Sequence, residues 1–235
     1  SVDFVAFTVD HEKFVEGYNK LKDGQLEYTK FNDTAFEGTF VAEKAYRNPD
    51  VNFIAMDIKS DMLGVGRRNI VKRFEESGRT VDNIALVAHN VDRIFEVISE
   101  DDKIDRIYIN FCNPWPKTHD HKKRLTHNNQ LMQYREFLKD GGEIRFKTDN
   151  DDLFLSSKRY FTECGFELTF VTEDLHNSGF DDNIMTEHEK MFSEQGIPIK
   201  FLIAKKLTIN PAEKEASECE NCAEEVENSA ESTEN

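Results

Sequence analysis

The chain has 235 residues, 38% of them hydrophobic, enough to bury the core of one ample domain. Thirty basic residues against 46 acidic ones give a net charge of −16, which excludes a uniformly basic nucleic-acid binder but leaves local basic patches open. No apolar run approaches the roughly 18–20 residues that span a bilayer, and no charged-then-apolar leader opens the chain, so the expectation is a cytoplasmic protein with no membrane partner.

The predicted elements alternate along the chain. Residues 11–21 can form an amphipathic helix and 26–31 a first strand that leads through Asn32 to Gly38. A helix over 39–47 follows. The run 51–57 reads as a buried strand, 61–77 as a charged helix stopped by Gly78, and 83–89 as the next strand. A short helix precedes a strand over 104–111. After a basic loop, Asn128 is placed to cap a helix over 129–139, with Gly141-Gly142 ending it. A strand over 143–148, a helix over 151–164 stopped by Gly165, a strand over 166–175, a helix over 186–194 and a last strand over 198–205 complete the pattern. Strand–helix alternation on this scale predicts an α/β domain over 39–206 with a mostly parallel twisted sheet and helices on both faces. For residues 1–38, which lead into the first strand, the sequence leaves the structure undecided. Residues 207–235 form an acidic tail: from Asn210 onward there are nine Glu and one Lys, no aromatic residue and one Val, a composition that predicts disorder. Cys219 and Cys222 lie in that tail without the second Cys or His pair of a zinc site, so no metal is expected.

In mostly parallel sheets, ligands bind beyond the carboxyl ends of the strands. Four predicted strand ends carry polar groups. Asp57 can accept hydrogen bonds from ribose hydroxyls, or be a solvated turn residue. Asn90 can read an adenine edge or simply turn the chain. The Asn113-Pro114-Trp115-Pro116-Lys117 turn holds the single Trp between two prolines that restrict the backbone. Asp149 faces the same crevice. Lys117 to Arg124 has four fixed positive charges in an acidic chain, which suits phosphate contact.

The runs INFCNPWPKTHDHKKRLTH, GGEIRFKTDN, DLHNSG and NIMTEHEKMFSEQGIPI, in that order, resemble the tRNA (guanine-N7)-methyltransferases over roughly 39–204. The resemblance implies a class I methyltransferase, Rossmann-like fold that uses S-adenosylmethionine to methylate a guanine, position 46, in the tRNA variable region, with tRNA and no DNA as partner. It implies Asn32, Gly38, Asp57, Asn90 and Asn113 at the cofactor, and Asn113 and Asp149 at the reaction. Substrate contacts would be Lys117, Asp149, Thr186, Glu187, His188 and Glu189, with His119, His121, Lys122, Lys123 and Arg124 on the RNA. The chain departs from the family pattern where a glycine loop precedes the first helix: of 32–38, Gly38 alone matches. Asn32, Asn90 and Asn113 stand where carboxylates are usual, and His188 where Tyr is usual. These departures support a second expectation, a tRNA-binding relative with weak or no methyl transfer. A third reading takes Asn113-Pro114-Trp115 as a relative of the Asn-Pro-Pro-Tyr motif of amino-group methyltransferases, which the basic run and Thr186–Glu189 fit less well. Monomer and homodimer are both left open.

Overall fold

The computed structural model describes residues 2–5, 38–58, 60–99 and 101–208, with backbone alone at 2–5, 61, 62 and 187. Among the described residues, seven strands form one sheet: β1 Val2–Val5, β2 Asn52–Asp57, β3 Ile84–Ala88, β4 Ile104–Asn110, β5 Leu138–Thr148, β6 Phe166–Thr172 and β7 Lys200–Lys206. Their spatial order is β3-β2-β1-β4-β5-β7-β6. The first five are parallel, and β7 runs antiparallel to both β5 and β6. The helices are α1 Thr39–Arg47, α2 Ser60–Glu75, α3 Asn128–Phe137, α4 Asp151–Glu163 and α5 Glu187–Glu194, with two 3-10 turns at Val91–Glu96 and Thr118–Lys123.

Alternation along the strands divides the core between two faces. Phe53, Ala55, Leu86, Ala88 and Tyr108 pack with Phe40 and Val41 of α1 and Leu63, Ile70 and Phe74 of α2. Their neighbours Met56, Val87, Ile107 and Ile109 point the other way, into a cluster with Leu131 and Tyr134 of α3 and Leu153 and Phe161 of α4. Where both faces are covered, as along β2, β3 and β7, the strands read as near-continuous apolar runs, whereas β6 at the edge alternates with exposed positions. Local chemistry sets the helix ends. Asn150 caps α4, its side chain accepting from Leu153 N at 2.8 Å, and Asp151 and Asp152 in the first turn suit the positive end of the helix dipole.

One strand is added to those expected, and two expectations are corrected. The slot between β2 and β4 is filled by Val2–Val5, with Asp3 paired to Phe53 on one side and Arg106 on the other. Residues 26–31, expected there, lie outside the described residues, as do the expected helix at 11–21 and the tail from 209. Gly141-Gly142 does not stop a helix. The α3 helix ends at Phe137, and the glycines form a bulge within β5, where the pairing jumps from Ile104–Leu138 to Arg106–Glu143. Gly141 takes φ 74° there, and a Cβ on Gly142 would come within 2.8 Å of the Lys139 carbonyl. Finally, His127 rather than Asn128 caps α3, its Nδ1 accepting from Asn129 N at 3.3 Å.

Candidate functional site

The order of the strands reverses at β1, so the crevice beyond its carboxyl end is the place for a ligand. Val5 pairs with Ala55 of β2 and Tyr108 of β4; two residues further along those strands stand Asp57 and Asn110. Asp57 is buried, and its carbonyl accepts from His89 N at 3.2 Å, which links the ends of β2 and β3. Gly38 caps α1 with φ 73°, and a Cβ there would lie 2.6 Å from the Gly66 Cα, so glycine is needed for α1 to meet α2. Asn90 caps the 3-10 turn after β3: its Oδ1 accepts from Asp92 N at 3.0 Å, which commits that oxygen locally.

At the end of β4 the backbone is strained. Phe111 and Trp115 take φ of 52° and 41°, unusual for bulky side chains. Asn113 supports the turn, its Oδ1 accepting from Trp115 N at 3.0 Å, so its NH2 group is what it can offer a ligand. Cys112 beside it is no nucleophile, since burial pushes its thiol up to about 12. Phe111 N donates to Lys147 O at 2.9 Å, which sets this turn next to Asp149 at the end of β5. Asp149 is partly exposed, and its carbonyl accepts from Lys200 at 2.8 Å.

The basic loop is less uniform than its sequence. Lys117 and Lys122 are exposed. Lys123 bonds Asp120 at 2.6 Å and lies 4.9 Å over the Trp115 ring, and exposed His119 is 3.3 Å from the same Asp120. His121 is partly buried. Arg124 corrects the expectation of an RNA contact. Its side chain is 0% exposed and donates to the carbonyls of Pro114 at 2.8 Å and Trp115 at 3.3 Å, and to Asp152 at 2.6 Å. It holds the strained turn from behind and cannot reach a phosphate.

Two members of the Thr186–Glu189 group also turn inward. Thr186 and Glu189 form a capping box at the start of α5, Thr186 Oγ1 accepting from Glu189 N at 3.1 Å. Glu189 is fully buried, and its two carboxylate oxygens are bonded to Lys147, His176 and Asn183. Burial would raise its pKa, but Lys147 and the bonds from Asn183 and His176 outweigh that and hold the carboxyl below the usual range. His188 is partly exposed and its ring stacks on Phe111, centroids 5.8 Å apart at 22°. For Glu187 the backbone alone is described, at the first position of α5. Asn32 lies outside the described residues. Sequence reasoning passed over Lys147, Asn183 and Asp152. A lysine inside the apolar run of β5 was the available signal, since buried charges come with partners.

A buried carboxylate at the end of β2 and an amide in the turn after β4 suit ribose hydroxyls and a polar tail, and in that sense the donor set fits S-adenosylmethionine. Among the described residues no three His, Cys, Asp or Glu side chains converge to hold a metal, and no helix is long and apolar enough to cross a membrane. Two cavities, of about 370 and 530 Å³, lie elsewhere. One is at the amino edge of the sheet around Asn48, Asp105 and Gly142, the other between α2 and β3.

The fold is that of the class I methyltransferases. A 16S rRNA methyltransferase, KamB, superposes with a TM-score of 0.53 at 9% identity, covering 88% of each chain. The fibrillarin pre-rRNA processing protein of Methanococcus jannaschii gives 0.50 at 13% identity, over 89% of this chain and 67% of its own. A family model described as "Putative methyltransferase" matches residues 35–202. Among curated relatives, the tRNA (guanine-N(7)-)-methyltransferase of Clostridium perfringens strain 13 is 56% identical over 171 residues, 73% of this chain and 78% of that protein. The protein of the same name from Clostridium beijerinckii is 58% identical over 170 residues, 72% and 78% of the two chains. The chain belongs to the tRNA (guanine-N7)-methyltransferase family.

Proposed function

We propose that this chain transfers a methyl group from S-adenosylmethionine to N7 of a guanine in tRNA, at position 46 of the variable region, and that it works in the cytoplasm. One observation carries the reading: Asp57 and Asp149 lie at the carboxyl ends of β2 and β5, and Asn113 in the turn that follows β4, in a chain 56% identical to a tRNA (guanine-N(7)-)-methyltransferase.

When bound, S-adenosylmethionine supplies a methyl group on a positively charged sulfur. Asp57 would hold the ribose, with the Gly38 turn, the Asn90 turn and the Asn113 amide around the rest. Guanine N7 carries a lone pair and no proton, so the chemistry needs alignment rather than a general base. Asp149 accepts from the Watson–Crick edge and stabilises the positive charge that develops on the purine. Asn113 is neutral, so it orients through its NH2 group and contributes less electrostatically than a carboxylate would. The His188 ring, supported by Phe111, offers a flat face to the base. Lys117 and Lys122 meet the phosphate backbone and set register without reading sequence.

Incubation with a tRNA transcript and methyl-labelled S-adenosylmethionine, followed by base analysis, tests the reading. Label in 7-methylguanine, lost when guanine 46 is changed to adenine, supports it. Binding of tRNA without product favours the binding relative, and label on an exocyclic amino group overturns the N7 assignment.

A further inference from the structure

The first turn of α5 is held by a set of polar contacts around the buried Glu189 carboxylate. Glu189 Oε2 accepts from Lys147 Nζ of β5 at 2.9 Å and from Thr186 N at 3.4 Å. Its Oε1 accepts from His176 Nε2 at 2.8 Å and from Asn183 Nδ2 at 2.6 Å. A carboxylate only accepts, so His176 must carry its proton on Nε2. Its Nδ1 lies 3.2 Å from Ser193 Oγ, one turn further along α5. Lys147 Nζ also donates to the Asn183 side chain and to Ile184 O, the latter at 3.0 Å. One buried anion therefore joins three parts of the chain: β5, the 173–185 segment after β6, and α5.

Burial of an acid and a lysine gives little net stability, because desolvation offsets the attraction. Such a pair does demand one arrangement, since every displaced partner leaves a buried polar group unmet. A second contact points the same way. Phe111, with its positive φ, stacks on both His188 and Phe192 of α5, at 5.8 and 5.9 Å between centroids. The strained end of β4 and the charged end of β5 thus grip α5 from two sides.

We propose that His176 and Lys147 are positioning residues for the guanine subsite, acting through Glu189. They set the first turn of α5, and with it Glu187 and His188, against Asn113 and Asp149. This rests on the methyltransferase reading above. His176 serves the test better than Lys147, because its side chain is 29% exposed and its loss leaves Glu189 three donors, whereas a Lys147 variant would strand a buried carboxylate.

The experiment compares wild type, His176→Ala and His176→Gln, the last keeping a donor near Nε2. Two readouts are taken: steady-state methylation of tRNA and hydrogen exchange of backbone amides. His176→Ala is expected to lower kcat/KM for tRNA by about 10-fold or more, since small misplacements of a reacting group cost up to roughly 10²-fold. S-adenosylmethionine affinity should stay within about twofold, as the contact lies outside its site, and His176→Gln should recover most of the loss. Exchange should quicken in 187–190 and 174–178 while β5 stays protected. Unchanged exchange in α5, unchanged kcat/KM, or a loss that vanishes below the unfolding temperature overturns the proposal. A wild type that makes no 7-methylguanine removes the methyltransferase reading instead, and the exchange data still decide the positioning role.

Discussion

Replacing Arg124 with alanine should destabilise the protein without changing how tRNA binding responds to salt. Its guanidinium makes two bonds to the carbonyls of Pro114 and Trp115. Hydrogen bonds from a charged donor contribute about 1.5–3 kcal/mol each, and the 3.3 Å contact belongs at the weak end. The pair with Asp152 adds under about 1 kcal/mol, because that carboxylate is 64% exposed and well screened. Removing Nη1, which is buried with no partner among the described residues, returns a similar amount. The net cost is about 3 kcal/mol, which in a domain of this size lowers Tm by roughly 6–12 °C. Lysine should recover little, since a single ammonium cannot span the fork. Denaturant unfolding measures the loss, and filter binding at several salt concentrations measures the slope. A variant with unchanged unfolding but a slope shallower by about 0.7–0.9, the signature of one lost phosphate contact, would refute the buried role.

Lys122→Ala should give the reverse result, a slope shallower by about 0.7–0.9 with Tm unmoved. Asp57→Ala should weaken S-adenosylmethionine binding by about 1–3 kcal/mol in calorimetric titration, and unaltered affinity would remove it from the site. Gly38→Ala must place a methyl group 2.6 Å from the Gly66 Cα at φ 73°, so unfolding should show a loss of over about 1 kcal/mol. The Glu189 carboxyl is held below its ordinary 4.5, so its share of stability is full above pH 4.5 and fades as pH falls through the lowered value; Glu189→Gln should flatten stability against pH in that acid range.

The strands β2, β3 and β7 announced themselves because both sheet faces are covered there. In Phe201-Leu202-Ile203-Ala204 every residue is apolar, so the element was visible although its faces were not. Insertion of β7 between β5 and β6 left no local trace, since pairing partners are set by contacts distant in sequence. Gly141-Gly142 was misread for a definite reason: a helix stop and a bulge both call for positive φ. The site divided in the same way. That Asp57, Asn113 and Asp149 lie at or just beyond strand ends could be read because a strand's end follows from its length; their roles at a ligand remain as proposed above. Arg124, Thr186 and Glu189 could not be told from their exposed neighbours, because burial of one member of a charged run depends on what the fold sets behind it. Val2–Val5 was missed because four residues carry too little pattern to stand out.

That short β1 has a consequence for assembly of the sheet. Backbone pairing between the β3-β2 half and the β4-β5-β7-β6 half passes through four residues, whose partners Asn52 and Arg106 lie about fifty and a hundred positions away. Pairings across such separations close slowly, so β1 should dock late, after each half has formed from nearer contacts. Until then β2 and β4 present facing open edges, one strand's width apart, that any extended peptide of suitable sequence could occupy. A chain deprived of residues 2–5 should therefore be prone to strand exchange and association, and a synthetic peptide carrying Val2–Val5 should restore the missing strand by complementation.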